Sequence, residues 1–176
     1  MGSPQPIAVL FVCLGNHCRS PAAHAVASEH AERRGIDFIT FDSAGTGGAH
    51  VGDLPHLSTQ GEGRRRGYQV DHRGRRIHPD DFAWFDLIIA MDELNIEDLG
   101  RLRGDTDQRT SVHVHAEPEQ IHLLRRWDPY AMPGDENLAD PWGKAENAYK
   151  EMYDQIERCI PPLLDHLIGM ANGITS

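Results

Sequence analysis

Val9-Leu10-Phe11-Val12-Cys13-Leu14-Gly15-Asn16-His17-Cys18-Arg19-Ser20-Pro21 joins an apolar, β-branched run to a helix start. The run Ile7 to Val12 has the length and composition of a strand buried on both faces, as in a parallel sheet. Gly15 lets the backbone turn where a side chain would clash. Ser20, with Pro21 at the first helical position, predicts a helix N-terminus. A strand, a tight loop and a helix start turn several backbone N–H groups into one concavity. The positive end of the helix reinforces it, and the result is an anion nest. Such a nest favours a sulfur anion at Cys13 over the thiol. The same amides, with Arg19 and the Ser20 hydroxyl, suit an incoming phosphate, because a guanidinium fork holds two oxygens at once and an ammonium does not. These residue types point to in-line attack by sulfur on phosphorus through a covalent cysteinyl-phosphate. A bare Cys-x5-Arg also arises by chance in ordinary βα turns. The strand before it, Gly-Asn within it and Ser-Pro after it set this one apart.

Val12 to Pro21 resembles the Val-Cys-x-Gly-Asn-x-Cys-Arg-Ser-Pro signature of the low-molecular-weight protein tyrosine phosphatases, with every fixed position matched. The resemblance implies an α/β fold: a four-stranded parallel sheet with flanking helices in flavodoxin-like order, one domain over residues 1–176 with 1–6 disordered. It implies hydrolysis of phosphotyrosine proteins or small aryl phosphates without metal or cofactor, by a cytoplasmic enzyme that is a monomer or weak dimer. Leu14, Gly15, Asn16, His17, Cys18, Arg19 and Ser20 become the phosphate-binding loop. Ser43-Ala44-Gly45-Thr46 resembles the family's Ser-Ala-Gly-Thr segment, in which the serine hydroxyl holds the loop asparagine in a strained conformation; Ser43 and Asn16 match, and His72 matches a supporting histidine. Where the family often carries an aromatic residue at the entrance, this chain has Ala49 followed by His50, so one wall of the substrate slot is lower or replaced.

Composition bounds the chain to one ordinary domain and does not exclude an anionic substrate, since the local field matters more than the total charge. The 176 residues suffice for one sizeable core. A net charge of −10 argues against generic nucleic-acid binding. No apolar run approaches the ~20 residues of a membrane span, and Met1 to Pro6 does not read as a secretion signal. Three cysteines do not make a disulfide scaffold. The Arg-rich basic content carries no functional weight.

Along the chain, the pattern predicts a helix from Ser20 to about Arg34 and a strand from Ile36 to Asp42, a βαβ unit with a right-handed crossover. Ser43 to Gly48 reads as a glycine loop at the carboxyl end of that strand, where ligands of open α/β sheets bind. A short helix capped by Ser58 ends before Gly67, its Arg64-Arg65-Arg66 run on a solvated face. Asp80 to Trp84 reads as a helical turn and Phe85 to Met91 as a buried strand. Asp92 caps a helix to about Leu99; it resembles part of a Met-Asp-Glu segment with a structural role. Gly100 to Glu119 reads as loop with some helix. His113 and His115 share one face there, but no cysteine or carboxylate cluster completes a metal set. Ile121 to Leu124 is the fourth strand. The last helix runs from about Lys144 to Leu167, with Pro161-Pro162 expected to kink or interrupt it and Cys159 as core filler.

Cleavage of an ester leaves an alkoxide-like oxygen, so a general acid is needed. Two Asp-Pro pairs offer one, Asp128-Pro129-Tyr130 and Asp140-Pro141-Trp142. The resemblance selects Asp140, because the family's acid lies in the second pair, before the last helix. Trp142 then takes the family's tyrosine position, where it would stack on a substrate ring, and Gly143 stands where many relatives carry a second tyrosine. Cys18 is placed to form a reversible disulfide with Cys13. Rival readings on the same loop are phosphoarginine hydrolysis, for which His17 occupies the selecting position; arsenate reduction, disfavoured because no cysteine lies between Cys18 and Cys159; and a non-catalytic anion-binding protein, against which the Cys13, Arg19 and Asp140 set argues.

Overall fold

Alternation of side chains along the first strand, β1 (Ile7–Cys13), organises the molecule. Ile7, Val9, Phe11 and Cys13 join one buried cluster, while Leu10 and Val12 join another on the opposite face. A strand that buries both faces must be central and covered on both sides, and each large side chain so buried contributes about 1.5–3 kcal/mol relative to exposure. The computed structural model describes residues 2–110 and 120–174, with the backbone alone described for 105–110.

Helix α1 (Arg19–Arg33) leads from β1 to β2 (Ile39–Gly45). Helices α2 (Leu57–Arg65) and α3 (Asp81–Trp84) precede β3 (Leu87–Ala90). Helix α4 (Glu93–Thr110), β4 (Ile121–Leu123), a 3-10 turn over Leu124–Trp127 and α5 (Glu146–Ala171) complete the order. The four strands are all parallel in the order β2-β1-β3-β4, the flavodoxin-like arrangement expected from sequence. Helices α1 and α5 cover the face built on Val9 and Phe11. The other face carries Leu10 and Val12 with Ile88, Leu99 and the half-buried Phe82 and Ile96. No helix among the described residues is long and apolar enough to cross a membrane. The Gln5 N–H donates to the Ala171 carbonyl at 2.9 Å, tying that part of the N-terminal segment down.

Several sequence expectations are corrected here. Helix α1 starts at Arg19, so Pro21 is its third residue rather than its first, still within the turn whose N–H groups lack helical partners. Strand β2 lies three residues later than read and takes in Ser43, Ala44 and Gly45, which pair with Phe11, Val12 and Cys13. The cap of α2 is His56, whose ring nitrogen accepts from the Ser58 amide at 3.2 Å. Arg66 is not on a solvated face: it pairs with Glu62, Asp154 and Glu157 and lies 5.6 Å over the Tyr153 ring. Helix α4 passes Leu99 and Gly100 and runs to Thr110. Helix α5 continues through Pro161 and Pro162; Ile156, Ile160, Leu163 and Leu167 are all buried on either side, and that burial outweighs the lost amide bonds. His113 and His115 lie outside the described residues.

Candidate active site

At the carboxyl end of β1 the chain must reverse within a few residues to enter α1, and Asn16 makes this possible. It is the one non-glycine with positive φ, +50°, among the described residues, a conformation asparagine tolerates better than most. Its side chain fixes that geometry. Nδ2 donates to the Ser20 hydroxyl at 2.8 Å and the Ser43 hydroxyl at 3.0 Å, and Oδ1 accepts from the Arg75 amide at 3.0 Å. Asn16, Ser20 and Ser43 are buried, and the loop is held from three directions. His72 supports Ser43 through its backbone: the ring Nε2 donates to the Ser43 carbonyl at 3.1 Å. The Asn16–Ser43 pair and the nearby His72 are brought together as expected.

The two residues that follow β2 lock against the loop from the side. Thr46 N–H donates to the Cys13 carbonyl at 2.9 Å and Gly47 N–H to the Leu14 carbonyl at 2.8 Å. A Cβ on Gly45 would lie 2.7 Å from the Leu14 oxygen and 2.9 Å from the Asn16 nitrogen, so only glycine fits there. The sequence reads this glycine as part of a loop; its place is the end of a strand, at a close approach of two backbones.

Cys13 is buried at the end of β1, with Sγ 3.0 Å from the Ser20 hydroxyl. The cap residue of α1, Cys18, makes no side-chain cap, which leaves the positive end of the helix to an external anion. Cys13, Cys18 and Cys159 are free thiols. Burial pushes Cys18 up to about 12, with the neighbouring Cys13 adding to the effect.

Arg19 is 3% exposed and its guanidinium is held from outside the loop. Nη1 donates to Asp92 Oδ2 at 2.5 Å and to the Leu138 carbonyl at 2.9 Å; Nη2 lies 3.5 Å from Asp140 Oδ2. Burial alone would weaken its protonation, but the Cys13 sulfur and the Asp92 and Asp140 carboxylates reverse that and strengthen it. Asp92 and Asn95 cap α4 reciprocally, each side chain accepting from the other's amide at 2.8 and 3.2 Å. One carboxylate therefore starts a helix and anchors the arginine. The second anchor, Leu138, is 1% exposed and its amide donates to the Met91 carbonyl at 2.8 Å. A buried leucine thus pins the segment that carries Asp140 two residues later. Neither tether to Arg19 was visible in the sequence.

The two Asp-Pro pairs separate cleanly. Asp140 is half-buried, faces Arg19 and accepts from the Trp142 amide at 3.1 Å. Asp128 faces the interior, with its side chain 0% exposed and bonded by Arg158, Arg125 and the Tyr130 amide. Burial would raise its titration; the Arg158 guanidinium, the Tyr130 N–H and Arg125 outweigh this and bring it to about 2.

A cleft of about 370 Å³ opens above Cys13. Arg19 and Asp140 border it on one side, Leu14 and Ala49 on another, with the exposed Trp142 at its edge. Ala49 brings only a methyl group to that wall, and the ring of His50 beside it stacks on His17 at 3.8 Å and 3°. His56 meets His17 edge-on at 5.6 Å and stacks on Tyr149 at 5.3 Å. Burial lowers the titration of His17, and His50 and His56 lower it further. The His17 Nδ1 is buried without a hydrogen-bond partner. Two bonds hold the His50 turn in place, Gly52 N–H to the Gly74 carbonyl and Gly74 N–H to the Asp53 carbonyl, both at 2.8 Å. This imidazole stack was only partly legible, since three histidines spread over forty positions meet through tertiary folding alone.

The chain is similar to known proteins over most of its length. The family model described as low molecular weight phosphotyrosine protein phosphatase matches residues 8–170. The human protein named low molecular weight phosphotyrosine protein phosphatase is 36% identical over 158 residues, covering 89% of this chain and 93% of its own. The fission yeast protein of the same name is 35% identical over 153 residues, covering 85% and 90%. Among solved structures, YfkJ from Bacillus subtilis superimposes with a TM-score of 0.80 at 33% identity, covering 94% of this chain and 97% of its own. A Drosophila arginine phosphatase superimposes with a TM-score of 0.79 at 30% identity, covering 90% and 96%.

Proposed function

Given that the chain belongs to the low molecular weight phosphotyrosine protein phosphatase family, we propose that it hydrolyses phosphotyrosine and other aryl phosphate monoesters through a phosphocysteine at Cys13, acting in the cytoplasm as a single-domain enzyme. The observation that carries this reading is the convergence of Cys13 and Arg19, from the phosphate loop, with Asp140, from the segment before α5, on one cleft.

The steps follow from the positions. The phosphate enters the loop at the positive end of α1, and Arg19 spans two of its oxygens. The Cys13 sulfur attacks phosphorus as the ester oxygen departs, and Asp140 passes its proton to that oxygen. The Ser20 hydroxyl, 3.0 Å from the sulfur, stabilises Cys13 as the anion and again as the leaving group. Asp140, now a carboxylate, takes a proton from the water that attacks phosphorus, the S–P bond breaks, and inorganic phosphate leaves. Loop amides and the guanidinium stabilise the charge that builds on the equatorial oxygens in both steps.

The test is turnover of p-nitrophenyl phosphate, phosphotyrosine and phosphoarginine peptides with chelator present. Wild type turns over the aryl esters, Cys13→Ser is silent, and a quenched reaction traps phosphate on wild-type cysteine. A silent wild type refutes the reading. One observation favours phosphoarginine as a second substrate: His17, at the selecting position, lines the cleft with a polar imidazole. A higher kcat/KM for the phosphoarginine peptide would make that the principal activity.

A further inference from the structure

Around Ser43, and not among the residues that line the substrate cleft, stand His24, Asp42 and His72. Each offers one ligand atom, all lie within 4.8 Å of one another, and all three residues are half-buried; among the described residues no other such group of three forms. They come from α1, β2 and the segment before α3, so three elements would have to be bridged by whatever they bind. The His24 and His72 rings meet at 5.0 Å and 65°. The Asp42 Oδ1 is 3.6 Å from His72 Nε2, while Oδ2 is engaged by Arg75 at 2.9 Å, which holds the carboxylate in place. A cleft of about 280 Å³ opens beside them, with His24, His72 and Asp71 on its walls, and leaves room for a water ligand.

We propose that His24, Asp42 and His72 form a binding site for a divalent transition ion of the zinc type, and that its occupancy switches the enzyme off. Two imidazoles, one carboxylate and an open fourth position make a donor set that such ions accept. Bond lengths of about 2.0–2.2 Å place tetrahedral ligands roughly 3.4 Å apart, so modest rotations of the imidazole rings close the site. Inhibition follows because all three ligands also touch Ser43. His72 Nε2 donates to its carbonyl at 3.1 Å, His24 Nδ1 lies 3.4 Å from its hydroxyl, and Asp42 Oδ1 accepts from its amide at 2.8 Å. A nitrogen bound to metal has no proton to donate, so the His72 proton moves to Nδ1 and its bond to Ser43 is lost. The His24 contact is lost as well. Ser43 is one of the three groups that hold Asn16 in its left-handed conformation, and the phosphate loop loosens when that support is disturbed.

The test uses zinc alone. In Cys13→Ser, which removes the competing thiolate, calorimetry shows one zinc bound per chain, and zinc moves the imidazole NMR signals of His24 and His72 but not those of His17, His50 and His56. His24→Gln in the same background weakens zinc binding at least about tenfold, since loss of even an outer partner of a ligand costs that much. In the wild type, zinc lowers kcat with KM unchanged, and His24→Gln removes that sensitivity. No zinc bound by Cys13→Ser overturns the proposal. So do signal shifts confined to the histidines of the substrate wall, or equal zinc affinity with and without His24.

Discussion

Two aspartates, each followed by proline and an aromatic residue, have opposite duties, and exchanging each for asparagine separates them. Asp128→Asn removes a carboxylate whose side chain is 0% exposed and which takes two 3.0 Å bonds from Arg158 and one of 3.1 Å from Arg125. Its titration is lowered from 3.8 to about 2. At about 1.36 kcal/mol per unit, the ionised form contributes roughly 2–3 kcal/mol to folding. For a chain of this length that is about 5–10 °C in Tm. The sign in pH is fixed. A carboxylate lowered by folding stabilises fully above its unfolded value, near ~4, and loses that contribution as pH falls toward about 2. Denaturation monitored by circular dichroism should therefore show a large gap between wild type and Asp128→Asn at neutral pH, and the gap should close between pH about 4 and 2. Turnover of p-nitrophenyl phosphate by the folded variant stays within a few-fold. Asp140→Asn shows the reverse: Tm within about 2 °C of wild type, and kcat lower by roughly 10²–10⁴, the value of a general acid. If Asp128→Asn leaves Tm unchanged, or loses activity while fully folded, the division of roles is wrong.

Gly45→Ala places a methyl 2.7 Å from the Leu14 carbonyl and 2.9 Å from the Asn16 nitrogen, so the phosphate loop must move. Displacements near 1 Å at a reacting centre cost on the order of 10²-fold; kcat/KM should fall by about that factor while the variant stays folded, and wild-type kcat/KM would contradict the close approach. Burial pushes both Cys18 and Cys159 up to about 12, so iodoacetamide at neutral pH should add once per chain, at Cys13. A second adduct forming at a comparable rate, seen by intact mass, would show that the Cys18 thiol is not protected.

The chemistry was legible because it is local. A strand, a glycine turn, an arginine and a Ser-Pro helix start lie within fifteen residues, and each leaves its own compositional mark. What sequence could not show is what aims that chemistry. Arg19 is tethered by residues 73 and 119 positions away, and one of those tethers is a backbone carbonyl that any residue could supply. The Arg75 amide that holds Asn16 is equally silent. Ser43-Ala44-Gly45 reads locally as a loop, yet it is strand, because pairing with Phe11, Val12 and Cys13 overrides weak intrinsic preference. Gly100 and Pro161-Pro162 look like helix ends. Both helices run past them, since one glycine costs only about 1 kcal/mol and the prolines sit between buried turns of α5.

The guanidinium of Arg19 carries a last consequence. An arginine free in solvent samples many rotamers, and stilling it costs about 1.5–2 kcal/mol. Here Asp92 and Leu138 have stilled it already, so the loss falls once, when the chain folds, and not at every encounter with a phosphate. By the rule that 1.4 kcal/mol is tenfold, a ready-made fork of this kind holds a phosphate roughly ten times more tightly than the same fork on a wandering side chain.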